Sequence, residues 1–408
     1  MKILFVSTFF DPDNIGGAEV ALRNLAHGLR ERGHTITVLC TASGGPLREQ
    51  YDQGLKIFRV GIPNRYWPNA SNRQPVLGRL LWHAQDVYNH AARRVVAEVI
   101  ERTRPDVVCT QNLAGFSISA WDASLLLGLP VVHVLNDLYL LAPSNPSYEH
   151  PLLSPWTRLF RLPHRGASTR IDTVVALSRS VLNEHLRAGY FTGVTTALIP
   201  TAFQSADPGL AGKRSASAPL RIGFLARLVP AKGIELLLQA FTESPPLDAV
   251  LRVGGVGEDR YVARLRRRYA GPRVQFLGYV DSTEFFRDID LCIVPSTHHD
   301  SLPTVIIEAS ANRVPVIGAR VGGIPELIRN GENGFVFELR TRRQVREALE
   351  FACAHRAELA AMRASARAAI APLLDRPRQL ADYEAVFERT MTRANARDVG
   401  IDRRVLPS

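Results

Sequence analysis

Lysine is nearly missing from this chain. Of 50 basic residues only Lys2, Lys56, Lys213 and Lys232 are lysines, so a lysine at a motif position carries unusual weight. Cysteine is scarce as well. Cys40, Cys109, Cys292 and Cys353 are scattered without paired spacing, which excludes a disulfide framework or a zinc site and suits core thiols in a reducing cytoplasm. No apolar run reaches the roughly 20 residues that cross a bilayer. The short run Ile3 to Phe10 ends in Asp11-Pro12-Asp13 instead of small residues, so no signal peptide is read and the expected location is cytoplasmic. A G-x-G-x-x-G turn after the first strand is also missing, which argues against a dinucleotide enzyme. An Asp-x-Asp pair at a strand end can hold a metal ion. Here Asp288-Ile289-Asp290 precedes its strand and Asp11-Pro12-Asp13 sits in a loop; both read as turn or cap acids. No metal and no cofactor are expected.

What the chain has is length and alternation. At 408 residues it exceeds one ordinary core, and two domains are the natural reading. The net charge of +11 is spread, with +5 over residues 1–205 and +6 over residues 206–408. The arginine bias reads as a genome rich in G and C, and no nucleic-acid partner is expected; a basic surface still favours anionic lipids or polyanions. The first half alternates short apolar strands (Lys2 to Val6, Thr35 to Cys40, Asp106 to Val108, Val131 to Val134, Thr173 to Leu177) with helical patterns. One of these runs from Leu77 through Val99 as a single helix and stops before Pro105. Such alternation predicts parallel sheets wrapped by helices, an α/β fold. Residues 203–219, rich in Ala, Ser, Gly and Pro, read as a linker. A second alternating series begins at Leu220, an alanine-rich helical stretch covers Arg342 to Ile370, and a last helix covers Arg378 to Arg393. Residues 396–408 read as a frayed tail.

Several short stretches carry chemistry. In Pro295 to Glu338 a strand leads to a polar loop with Asp300, then to a helix opened by Pro303-Thr304 that carries Glu308 among apolar neighbours. A helix N-terminus at Leu302-Pro303-Thr304 offers backbone N–H groups to a diphosphate, although Pro303 itself has none. Glu308 is placed to accept hydrogen bonds from ribose hydroxyls; its plain alternative is a solvated helix acid. Arg227 and Lys232 follow the strand Leu220 to Leu225 and flank a helix start at Gly233. They are the pair of cations that a departing diphosphate needs, or else two surface charges. Gly322-Gly323-Ile324-Pro325-Glu326 is a glycine loop with helix-start signals, and Gly254 to Glu258 is a glycine turn. Residues Pro155 to Leu162, with Arg165 and Arg170, mix aromatics and arginines. They read as a helix packed on the first domain or as one lying against a membrane surface.

The order of these elements resembles the family 4 glycosyltransferases, retaining enzymes of GT-B architecture. Their hallmark is Glu-x7-Glu followed by Pro-Val and Gly-Gly-x-x-Glu; here the pair is Asp300-x7-Glu308, with the first acid one methylene short. The family's Gly-Arg-Leu followed by Lys-Gly reads Ala226-Arg227-Leu228 and Lys232-Gly233. The resemblance implies two Rossmann-like doubly wound domains facing across a cleft. Residues 1–202 would bind the acceptor, 203–219 would link, 220–375 would hold a nucleotide-diphosphate sugar, and a helix at 376–395 would cross back to the first domain. It assigns catalytic roles to Asp300, Glu308, Arg227 and Lys232. Donor contacts would come from Gly16, Gly17, Gly278, Tyr279, Val280, Leu302, Pro303 and Thr304. Many relatives carry His-Asp after the strand Val131 to Leu135; this chain has Asn136-Asp137, residues that would contact the sugar or acceptor, and Asn136 cannot exchange a proton near neutral pH as a histidine would. His133, three residues earlier, faces the opposite side of its strand and reads as a core histidine. The implied reaction moves a sugar from a nucleotide-diphosphate sugar to a glycan or lipid-linked acceptor in envelope or extracellular polysaccharide synthesis, on the inner face of the membrane. A nucleotide-sugar epimerase of the same architecture and a non-catalytic nucleotide-sugar-binding subunit are the alternatives.

Overall fold

A computed structural model describes residues 1–12, 16–61, 64–67, 75–141, 155–209, 218–243 and 245–402. The side chains of residues 76, 79, 80, 155–161 and 397–402 lie outside that description. The chain divides into two units, one of Met1–Thr201 with Pro377–Ser408 and one of Ala202–Arg376.

The first unit is built on a sheet of β1 (Lys2–Ser7), β2 (Thr35–Thr41), β3 (Arg48–Asp52), β4 (Leu55–Val60), β5 (Val107–Gln111), β6 (Val131–Leu135), β7 (Thr173–Ala176) and β8 (Thr195–Leu198). Its order is β3-β4-β2-β1-β5-β6-β7-β8. All neighbours run parallel except β3 and β4, an antiparallel hairpin. Gln53 and Gly54 turn that hairpin with φ of 43° and 80°, the two positive values that a type I′ hairpin turn requires. Strands β1, β5, β6 and β7 are buried almost throughout, as expected of a parallel sheet covered on both faces.

The periodic stretch from Leu77 to Val99 is not one helix. It breaks into Val76–Asp86 and His90–Thr103. Asn89 causes the break: its side chain accepts the N–H groups of Ala91 and Ala92 at 3.2 and 3.1 Å, a strong N-cap. The last helix runs Arg376–Asp402, longer than the Arg378 to Arg393 that the pattern suggested. Pro377 carbonyl accepts from Arg32 at 3.0 Å, Glu384 meets His34 at 2.8 Å, and the Phe387 ring meets Phe5 edge-on at 6.4 Å.

The second unit has β9 (Leu220–Leu225), β10 (Ala249–Gly254), β11 (Val274–Gly278), β12 (Leu291–Val294), β13 (Val316–Ala319) and β14 (Gly334–Phe337). The order is β11-β10-β9-β12-β13-β14, all parallel. The chain winds outward from β9 to β11, then returns to the other side of β9. The loops after β9 and β12 therefore leave the sheet in opposite directions, and a crevice opens between them at the carboxyl ends of the strands. Residues 203–209, read as linker, run along this unit instead. Phe203 N–H donates to Leu373 O at 2.8 Å, and Asp207 pairs with Arg313 at 2.7 Å. Residues 210–217 lie outside the description.

His133 is sealed in the first unit. Its Nδ1 lies 2.9 Å from Thr110 Oγ1, which also accepts Trp121 Nε1–H at 2.9 Å, and its ring packs against Trp121 and Phe191. Burial, with neighbouring His185 as a lesser cause, lowers its pKa from 6.5 to about 3. A histidine that stays neutral when folded stabilises fully above pH 6.5 and loses that contribution as the pH falls from 6.5 towards 3. Acid titration of stability is expected to show a slope of about 1.4 kcal/mol per pH unit from this residue below pH 6.5. The slope should be shallower in His133→Phe; equal slopes would contradict the assignment.

Candidate functional site

The crevice of the second unit is made by loops that touch through their backbones. After β9 the chain passes Ala226 to Val229, makes a tight turn at Pro230–Lys232 and enters the helix Ile234–Phe241 through Gly233, whose φ is 74°. A Cβ on Gly233 would stand 1.9 Å from the carbonyl oxygen of Pro295, the first residue of the loop after β12. The same two loops are joined by Thr297, whose N–H and hydroxyl both donate to Ala231 O at 3.0 and 3.3 Å. On the other flank the turn Gly254 to Gly257 lies against residues 226–228. Ala226 N–H donates to Gly254 O at 3.3 Å and Leu228 N–H to Val256 O at 2.8 Å. A Cβ on Gly255 would come within 1.9 Å of Ala226 O. This glycine turn is therefore a backbone brace for the loop that bears Arg227.

These contacts bring Lys232 and Asp300 together: Lys232 Nζ forms an ion pair with Asp300 Oδ2. The backbone of Asp300 is held in turn by the Gly322-Gly323 loop. Gly323 N–H donates to Asp300 O at 2.7 Å. A Cβ on Gly322 (φ 56°) would lie 2.4 and 2.6 Å from Asp300 O and N. Arg227 is exposed, and its guanidinium has no ion pair or hydrogen bond among the described residues. Two cations at one crevice thus differ, one compensated by Asp300 and one not.

Glu308 lies on the helix Thr304–Ala311, which begins at the buried Pro303 without a side-chain cap. The helix buries Ile306, Ile307, Ala309, Ser310 and Ala311, and Glu308 between them is only partly exposed. Burial raises its pKa above 4.5, while hydrogen bonds from the Ser282 and Thr304 side chains pull it back. Ser282 was not singled out from the sequence. Asp281 caps its helix by accepting Glu284 N–H at 3.0 Å, a legible helix start, but nothing local says that Ser282 faces Glu308. No ion pair joins Glu308 to Arg227 or Lys232 among the described residues.

The remaining candidates are dispersed around this centre. Gly278, at φ 75°, accepts Gly255 N–H at 2.7 Å through its carbonyl. Tyr279 is 86% exposed, and Val280 and Leu302 are half-buried against the core. Glu326 is exposed, one turn into Ile324–Leu327. In the first unit Gly16 precedes the helix Gly17–Glu31, and its N–H is already taken by Glu19 Oε2 at 2.9 Å. Asn136 donates to Gln111 Oε1 at 3.1 Å, so β5 and β6 present paired amides at their carboxyl ends. Asp137 accepts Tyr139 N–H at 2.8 Å. Tyr139 Oη donates to buried Asp86, whose carboxylate also accepts Gly115 N–H at 2.8 Å and is pushed by burial to about 8.

The acids of the Asp-x-Asp stretches are engaged with arginines. Asp11 meets Arg23 at 3.0 Å, Asp290 lies 3.7 Å from Arg221, and Asp288 pairs with Arg221 and Arg252; Asp13 lies outside the described residues. Among the described residues no group of three His, Cys, Asp or Glu side chains is placed to hold a metal ion.

Two outcomes follow from this geometry. A carboxyl with a raised folded pKa carries a charge penalty at neutral pH that vanishes below about 4.5. Glu308→Gln should therefore raise the melting temperature at pH 7, with the gain fading as the pH falls through that range; a lower melting temperature at pH 7 would contradict the burial argument. Gly322→Ala must displace the Asp300 backbone. It should cost about 1–3 kcal/mol in urea unfolding and lower turnover more than tenfold; wild-type turnover would show that Asp300 does not depend on this contact.

Known proteins agree with this architecture. The model for Glycosyltransferase Family 4 matches residues 15–202, and that for Glycosyl transferases group 1 matches residues 219–355. An uncharacterised 42.6 kDa protein in the cps region of Klebsiella pneumoniae is 29% identical over 83% of this chain and 90% of its own length. The N-acetyl-alpha-D-glucosaminyl L-malate synthase of Bacillus anthracis is 26% identical over 80% and 81%. Sucrose-phosphate synthase from Thermosynechococcus elongatus superposes with a TM-score of 0.74 at 18% identity, covering 96% of this chain and 99% of its own. Anabaena HepE in complex with UDP-glucose does so with 0.65 at 22%, covering 95% and 100%. With both family models matching in sequence order and two parallel-sheet Rossmann-like units of this topology, the chain belongs to the group 1, family 4 type of GT-B glycosyltransferases.

Proposed function

We propose that this glycosyltransferase moves a sugar from a nucleotide-diphosphate sugar to a glycan or lipid-linked acceptor with retention of anomeric configuration and without a metal ion. The observation that carries this reading is the meeting of Arg227, Lys232, Asp300 and the Glu308 helix at the switch point of the second sheet. Cleaving the bond between the anomeric carbon and phosphate builds negative charge on the departing diphosphate. Arg227, Lys232 and the N–H groups behind Leu302-Pro303-Thr304 supply the compensating charge in place of a metal. Glu308 accepts from the ribose hydroxyls, Asp300 orients the sugar, and Gly278, Tyr279 and Val280 border the base. The acceptor attacks the face from which the diphosphate departs, and its proton passes to a phosphate oxygen. No side-chain nucleophile or base is then required, which suits Asn136 and the sealed His133. An epimerase would need acid–base groups at the sugar ring, and these two residues supply none.

Gly16, Gly17, Asn136 and Asp137 belong on this reading to the first unit's share of donor and acceptor binding. The cps-region relative points to envelope or capsular polysaccharide, and HepE is a UDP-glucose complex. We place the enzyme in the cytoplasm at the inner face of the membrane. Among the described residues no helix is long and apolar enough to cross a membrane, and the side chains at 155–161, where a peripheral contact was read, lie outside the description.

The test is a thermal-shift panel of UDP-, GDP-, ADP- and TDP-sugars, in EDTA, against the wild type and Glu308→Ala. One donor should raise the melting temperature by mass action, and the shift should be lost in the variant. No shift from any donor at millimolar concentration would overturn the reading, as would a shift that requires added metal.

A further inference from the structure

We propose that Asp300 competes with the donor's diphosphate for the Lys232 ammonium and thereby sets how tightly the nucleoside diphosphate product is held. The inference rests on the donor-site assignment above and deepens it.

Of the two cations at the crevice, Arg227 has no ion pair among the described residues, whereas Lys232 already holds an anion. The backbones on both sides of the ion pair are pinned. On the lysine side, Lys232 N–H donates to Val229 O at 3.1 Å, Gly233 N–H donates to Pro230 O at 2.8 Å, and Gly233 abuts Pro295 O too closely for any side chain. On the acid side, Gly323 N–H holds Asp300 O at 2.7 Å, and a Cβ on Gly322 would lie 2.4 Å from the same oxygen. Neither partner can withdraw by moving its loop. What remains mobile is the side chains, and they are unequal: a four-carbon ammonium stem against a carboxylate one methylene from the backbone. The lysine swings; the aspartate stays. The lysine side chain is 32% exposed and the aspartate 16%. In such a partly solvated pair attraction is modest, so a phosphate oxygen can displace the carboxylate and the carboxylate can displace it in turn. Donor arrival and product departure then exchange one anion for another on the same ammonium, and Asp300 helps to expel the diphosphate after transfer.

A thermodynamic cycle decides this. Binding of UDP, GDP, ADP and TDP is measured by calorimetry for the wild type, Asp300→Asn, Lys232→Met and the double variant. Asparagine and methionine keep the volume, and each variant's folding is checked by its melting curve. Asp300→Asn should tighten the preferred nucleoside diphosphate by about three- to tenfold, while Lys232→Met weakens it. In the Lys232→Met background Asp300→Asn should change nothing. With a sugar donor, Asp300→Asn should show stronger product inhibition. Unchanged or weaker binding in Asp300→Asn overturns the proposal. So does equal tightening in the methionine background, which would mean plain repulsion of the phosphate by Asp300. If the wild type binds none of the four nucleotides, the donor-site reading itself fails and takes this inference with it; if it binds one and the cycle shows no coupling, only this inference fails.

Discussion

Backbone contact between loops at the switch point is the constraint on which the rest of the second unit depends. Reversal of strand order beside β9 opens a crevice, but an open crevice holds nothing in place. Its walls are fixed because Gly233 lets one loop press on Pro295 and Gly322 lets another press on Asp300. With any larger residue at either place the loops would part, and Lys232 and Asp300 would lose their relation. The motif glycines are thus legible as parts of a scaffold that aims charged side chains.

The charges so aimed are poorly satisfied by the protein alone. Burial disfavours the charged form of Glu308, and two hydroxyls relieve this only in part. Among the described residues Arg227 has no ion pair or hydrogen bond from its guanidinium, and Lys232 pairs with a single carboxylate. Sites that bind charged substrates commonly accept such local costs, because the substrate completes them. The first unit is mixed: burial pushes Asp86 to about 8, while other polar groups are closed off among themselves. His133, Trp121 and Thr110 close on one another, and polar groups at the strand ends, such as Asn136 with Gln111, are paired.

Much of the second unit could be read from residue order. Asp300, Glu308, Arg227 and Lys232 could be placed on their loops and helix because strand, loop and helix starts have local signals, and loops after parallel strands gather at one edge. The alternating pattern likewise gave the α/β class. What stayed hidden depends on distant partners. Ser282 and Glu308 meet across separate helices, and no spacing encodes that. The contacts of the glycine turn at Gly254 to Gly257 with Ala226, and of Gly322-Gly323 with Asp300, join residues far apart in sequence, and no local signal announces them. Apolar periodicity continues across Asn89 and predicts one helix, although the side chain caps a new one. Residues 203–209 looked like a free connection by composition, yet Asp207 is tied to Arg313. The β3–β4 hairpin was missed because both strands are short and β3 is exposed throughout.

The most direct test of the account is a crystal structure of the enzyme with its nucleotide-diphosphate sugar. The account predicts ribose hydroxyls within hydrogen-bonding distance of Glu308. It also predicts the diphosphate between the Arg227 guanidinium and the N-terminus of the Thr304–Ala311 helix, with Gly322 and Gly323 touching Asp300 and not the ligand. A nucleotide seated elsewhere, or phosphates bound by the Gly322-Gly323 loop with Asp300 displaced, would contradict it.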